Sequence, residues 1–351
     1  MRRTILSSIL VMLAGFAHAQ TPECDRLCSR DFMFSLDSGL DVMPLVADGE
    51  HANGHMEDGR TPLIWAALDP DDEDAIVFTS TLLFAGGDVF AQDSKRGMTP
   101  LHWHLFRVGG PMKEVVAMYL GEGASVISKD NFGYSVLDIV NGVATAELYE
   151  VYELPYVNDE VADMIRGWAE LEERWKDAFG MHLGRDPTSV RYFEVLAEEG
   201  YIPAMYAYAS VLEKPKVEGF TPDIEQALYW YEEAASVGEV NSIFHVGSSA
   251  YSGTDTIEQN DAMAHEWLSL GARHGDTNSQ SLLGLMYANG KGVERDIQKG
   301  LMWMIISLRF GEDTPDRVRL IDEMSSALSY QEVKEAEQMA KDCIINFFEH
   351  C

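Results

Sequence analysis

The chain is short of positive charge. Its 351 residues carry 26 Lys and Arg against 58 Asp and Glu, a formal charge of −32 at pH 7. A field of that sign repels phosphate backbones and anionic lipid surfaces, so nucleic acid is excluded as a partner. Cysteine is scarce too: there are four, with none between Cys28 and Cys343. Long apolar runs are missing apart from Ile5 to Phe16, which is too brief to cross a bilayer as a stable helix, so the chain is not expected to span a membrane. Signatures of catalysis are also lacking. No G-x-S-x-G elbow occurs. Gly290-Lys291-Gly292 lacks the spacing and the Lys-Ser/Thr of a phosphate loop. Ser269 stands where a zinc-protease helix opening at His265-Glu266 would need its second histidine. The chain therefore reads as a non-enzyme with no catalytic residue, no cofactor and no metal.

What is present begins with an export signal. Arg2 and Arg3 precede the apolar run, and Ala17-His18-Ala19 supplies the small residues of a cleavage site, so residues 1–19 read as a signal peptide cut before Gln20. The expected setting is the periplasm, or the outside of the cell. Such a compartment permits disulfides. Cys24 and Cys28 lie four apart, and Cys343 and Cys351 eight apart. Four cysteines allow three connectivities, and pairing within each end is the simplest; inert thiols or a metal site are the alternatives. With 46% apolar residues the chain can build cores. Its acidity suits a partner with a basic surface, against the plainer reading of a solvated acidic face.

The first half repeats. Gly59-Arg60-Thr61-Pro62-Leu63-Ile64-Trp65-Ala66-Ala67 recurs as Gly97-Met98-Thr99-Pro100-Leu101-His102-Trp103-His104-Leu105, 38 residues on. A third copy, Gly133-Tyr134-Ser135-Val136-Leu137, follows 36 residues later. The physics is local. Thr caps a helix start, Pro presets the first turn, Leu packs inward, and glycines release the chain at helix ends. The pattern resembles the ankyrin repeat over roughly residues 32–140, with Thr99 to His102 as its full T-P-L-H. Ile64 in place of the first histidine, Ser135-Val136 in place of Thr-Pro, and the long spacing are departures. The resemblance implies helix, turn, helix, then a projecting hairpin, and it makes His102 a structural link between neighbouring loops. His102 and His104 are two apart and share no helix face, which argues against a joint metal site. His51 and His55 read as loop residues rather than soft-metal ligands. Asp69 to Asp74 reads as an acidic inter-helix turn, since it lacks the glycine and distal glutamate of a calcium loop. Trp65 and Trp103 hold equivalent positions that face the concave surface in ankyrin repeats. They are the candidate partner-binding residues, against the alternative that each ring packs between repeats.

A different repeat starts near Ser189. Tyr192/Gly200, Trp230/Gly238, Trp267/Gly275 and Trp303/Gly311 pair an aromatic with a glycine eight later, at offsets of 38, 37 and 36. Ala227 to Ala235 and Ser281 to Val293 are the best copies of its two helices. This resembles the Sel-like repeat, a relative of the tetratricopeptide repeat, over about residues 189–311. It implies a stack of antiparallel helix pairs in which small residues allow close approach.

Between the arrays, Val161, Met164, Ile165, Trp168, Leu171, Trp175 and Phe179 step by three or four, an amphipathic helix placed after Pro155. At the C-terminal end, Ser329 to Glu332 is a capping box opening a helix that, with its predecessor, reads as the array's cap. The expected fold is mainly α, an α-solenoid of ankyrin repeats followed by Sel-like antiparallel helix pairs. Its parts are the signal peptide (1–19), ankyrin domain (20–143), connecting helix region (144–188), Sel-like domain (189–311) and capping helices (312–351). Both resemblances imply a non-enzymatic scaffold or adaptor for a protein partner. A hydrolase of the cysteine-rich Sel-like, β-lactam-hydrolysing kind and a periplasmic regulator of a membrane sensor are the alternatives. The cysteine-free stretch from 29 to 342 speaks against the hydrolase.

Overall fold

A computed structural model describes residues 26–351 except 37, 49–50, 57, 145–155, 184–185, 215–220, 255, 312–313 and 349–350. The expected signal peptide (1–19), Cys24 and Pro155 lie outside the described residues. Among the described residues, all extended regular structure is helical and no strand occurs. None of these helices is long and apolar enough to cross a membrane. The chain forms two compact units, one chiefly of residues 20–204 and the other chiefly of residues 205–351.

The first unit contains α1 (Arg30–Met33), α2 (Val42–Asp48), the pair α3 (Pro62–Ala67) and α4 (Asp72–Phe84), the pair α5 (Pro100–Leu105) and α6 (Lys113–Gly121), then α7 (Val136–Val140). Each repeat opens on a hydroxyl cap. Thr61, Thr99 and Ser135 accept from the backbone N–H three residues on, and Pro62 and Pro100 take the first turn of their helices. Leu63 and Leu101 are fully buried. The hairpin implied by the resemblance is present without becoming a strand pair. Asp93 N donates to Met98 O (3.2 Å) and Asp130 N to Tyr134 O (2.8 Å), closing two of these turns. Neighbouring turns are joined by Ser94 N to Asp58 O and Asn131 N to Arg96 O, both 2.7 Å. These single backbone bonds do not make a ladder.

The acidic stretch from Asp69 is the turn between α3 and α4. Asp71 caps α4 by accepting from Glu73 N (3.0 Å) and Asp74 N (3.1 Å). Buried Arg107, from the following repeat, donates to Asp69 O (2.5 Å), Pro70 O (3.0 Å) and Asp72 Oδ1 (2.6 Å). The next helices are α8 (Asp159–Leu183) and α9 (Thr188–Glu198). Val161, Ile165 and Ala169 are buried along α8. Glu172 accepts from Val126 N (3.0 Å) and Ser125 Oγ (2.5 Å), so α8 ties off the turn that follows α6. Trp175 stacks on Phe193 and Tyr201, with centroids 5.3 and 5.9 Å away. The apolar stripe runs out before its last member: Phe179 is 43% exposed, because Trp175 and His182 already cover Phe193.

Past α10 (Ile202–Glu213), the second unit runs through α11 (Ile224–Ser236), α12 (Val240–Ser252), α13 (Asp261–Arg273), α14 (Thr277–Asn289) and α15 (Ile297–Phe310), then α16 (Pro315–Ser326) and α17 (Tyr330–Ile345). Side-chain caps recur from Asp223, Glu239, Asn260, Asp276 and Asp296, which sets each helix start. Small residues let backbones meet. A Cβ on Gly300 would lie 2.7 Å from Gly284 O and 3.0 Å from Ala288 N, so α14 and α15 touch main chain to main chain. Gly300→Val is expected to force this seam apart and lower stability by about 2 kcal/mol, the usual scale of overpacking, read by urea unfolding. Val333 and Ala336 of α17 pack on Leu301, Met304 and Leu308 of α15. Cys343 and Cys351 are joined, with Cα atoms 5.5 Å apart, and Phe348 between them packs on Phe310.

Candidate functional site

Trp65 on α3 and Trp103 on α5 are brought together, but not as open rings. The guanidinium of Arg60 lies 4.8 Å from each ring centroid, so one arginine is held between two indoles. Arg96 lies 5.2 Å from the Trp103 ring. The stack is anchored from below. Trp103 Nε1 donates to Asp93 Oδ2 (3.0 Å), and the same carboxylate accepts from Lys95 N, Arg96 N and Met98 N. Asp93 thereby shapes the turn and fixes the indole in one act. The two rings are only 7% and 8% exposed. Cation–π attraction favours this placement of the arginine against both indoles. The Arg60 side chain keeps 25% exposure, although its Nε is buried. Sequence reading passed over Arg60. Its signal was an arginine at the turn five residues before one tryptophan, in register with another.

The two histidines flanking Trp103 are fully buried. Thr99 donates from its N to His102 Nδ1 (3.3 Å), and Thr99 Oγ1 sits 2.8 Å from the same atom. The His102 Nε2 is buried without a hydrogen-bond partner, so the expected link between neighbouring loops is not made by a bond from this atom. His104 was not expected to bond this widely. Its Nδ1 donates to Ala67 O (2.9 Å) and its Nε2 accepts from Met112 N (3.0 Å), so it joins the preceding repeat to its own inter-helix turn. Burial holds both rings neutral, with pKa values lowered to about 4. His55 Nδ1 donates to the adjacent Met56 O (3.1 Å) within a half-buried loop. Among the described residues no group of three or more His, Cys, Asp or Glu is placed to hold a metal ion.

The second unit has a polar knot that sequence reading missed. Glu213 ends α10 with its side chain 2% exposed. Its Oε2 accepts from Tyr231 OH (3.1 Å) and His245 Nε2 (2.5 Å). Its Oε1 accepts from Thr256 Oγ1 (2.5 Å), with Lys214 Nζ at 3.2 Å. Burial alone would raise this carboxyl, but the donors from His245 and Thr256 outweigh it and bring the pKa down to about 2. The His245 ring also stacks on Tyr231, with centroids 4.9 Å apart. A carboxylate with every lone pair engaged is a fastener between helices α10, α11 and α12 and the loop after α12. It offers no basic oxygen to a substrate.

Comparison with known proteins agrees with the second half of this architecture. Residues 202–239, 241–276 and 277–308 match the Sel1 repeat, so this region carries three Sel1 repeats. The match opens at α10, whereas the sequence pattern alone could be followed back to 189. Among curated proteins, the chain is 24% identical over 248 residues to the ERAD-associated E3 ubiquitin-protein ligase component HRD3B of Arabidopsis thaliana. That alignment covers 69% of this chain and spans 38% of the length of the plant protein. Among solved structures, a Sel1 repeat protein from Oxalobacter formigenes is 18% identical with a TM-score of 0.34, over 39% of this chain and 98% of that one. The protective antigen c5321 of uropathogenic Escherichia coli, which displays an SLR fold, is 15% identical with a TM-score of 0.32, over 92% of this chain and 73% of that one.

Proposed function

We propose that this chain is an exported, non-enzymatic scaffold that acts by holding a protein partner. The observation that carries the reading is the run of Sel1 repeats at 202–308, whose buried acid is spent on joining helices. In the first unit we take the Thr-Pro-Leu-His register and the stacked turns as ankyrin-type repeats, a second surface of the same kind. HRD3B, by its name, is a component of a ligase. A part that serves within an assembly is the role proposed here, without its plant partner or pathway. The compartment proposed is the periplasm, entered by removal of residues 1–19. The acidic charge favours a partner with a basic surface.

The test is photo-crosslinking of the full chain inside the source cell, followed by reconstitution with the captured protein. Saturable binding that excess unlabelled chain competes away is the expected result. Binding that never saturates, or a purified chain that opens a β-lactam ring on its own, sinks the proposal.

A further inference from the structure

We infer that Arg60, held between Trp65 and Trp103, is a receptor for a single carboxylate on a protein partner. Its role is to set the register of an otherwise basic segment lying on the first unit. This rests on the scaffold reading above and deepens it.

The geometry leaves few other uses for this arginine. The guanidinium carbon lies 4.8 Å from each indole centroid, so the two rings shield much of the group and limit the directions from which a ligand can approach. Its Nε is buried without a hydrogen-bond partner. The acid beside it, Asp58, stands 3.5 Å from that Nε, which is ion pairing at a length where little hydrogen bonding remains. A guanidinium presents N–H donors in a planar fork that fits a carboxylate with two parallel bonds. The side chain keeps 25% exposure although its Nε is buried, so part of it can be reached from solvent. The stack cannot swing away easily, since Trp103 is fastened to Asp93 at 3.0 Å. A receptor ordered in advance loses little freedom on binding.

Charge explains why one carboxylate would matter. The overall charge of −32 draws in basic segments from a distance but does not choose where along them to dock. One cation held within that acidic surface is a point where Glu or Asp is preferred over its amide, and an amide cannot satisfy the fork in the same way.

The probe is a short acetylated and amidated peptide of alternating Lys and Ala with one central Glu. Its counterpart carries Gln at that place. Both are titrated into the full chain at low salt by calorimetry, with indole fluorescence as a second readout. The Glu peptide is expected to bind about tenfold more tightly than the Gln peptide. Arg60→Gln should bring the two to equality, and Arg60→Lys, which keeps the charge but has no fork, should lose most of the preference. Equal binding of both peptides, no binding of either, or a preference that survives Arg60→Gln overturns the inference. If Arg60→Gln unfolds the first unit, the peptide pair on the parent chain and on Arg60→Lys decides. Self-association that depends on Arg60 in sedimentation would assign the carboxylate to a second copy and overturn the partner named here. A captured partner that binds Arg60→Gln as well as the parent chain removes the receptor and leaves the scaffold. Failure of the parent chain to capture any partner removes the scaffold, while the peptide pair still reports on Arg60.

Discussion

His104→Ala lowers the unfolding free energy of the first unit by about 3–5 kcal/mol at neutral pH, the sum of a cavity and two orphaned polar groups. The ring removed is fully buried, and its loss leaves Ala67 O and Met112 N without their partner. Urea unfolding followed by fluorescence measures it; a loss under about 1 kcal/mol would mean that water replaces the ring at no penalty. Acid acts on the same group. The folded chain takes up this proton near pH 4, the unfolded chain near 6.5. A proton bound more weakly by the folded state favours unfolding as pH falls. The contribution is therefore complete above 6.5 and is lost on the way down to about 4, by about 3 kcal/mol at most. His102 follows the same direction and window.

Glu213→Gln is the second large effect, of about 3 kcal/mol at neutral pH. Here the folded pKa is about 2 against 4.5 for the free side chain. The stability it gives is present above 4.5 and disappears as pH falls toward 2, where the variant and the parent chain should converge. The two windows differ, so the first unit softens in acid before the second. Hydrogen exchange read separately over residues 60–140 and 205–300 at descending pH would show that order; simultaneous loss of protection in both would contradict it.

How much of this could be read in the residues depends on distance along the chain. The Thr-Pro helix starts, the caps and the α8 stripe were legible, because each is decided by neighbours within a turn or two. His102 was legible through its motif. Glu213 was not: its partners Tyr231, His245 and Thr256 stand 18, 32 and 43 residues away, and no repeat carries a second copy of the set. The linking role of His104 was not legible for the same reason, since its acceptor lies 37 residues back. The tryptophans were located correctly in register, but their exposure was not readable. It depends on an arginine whose stacking leaves no periodic trace. That the described turns form no strand pair was equally hidden, because it follows from how many bonds adjacent loops exchange.

The glycine seam of α14 and α15 has a mechanical consequence. Main chain against main chain cannot slide without colliding, so that joint should behave as a stiff splice. The joint around Glu213 is a set of directional bonds that break one at a time. Stretched by its ends in an optical trap, this array would yield first near Glu213 and last near Gly300. A partner that flexes it would therefore bend it at its N-terminal side.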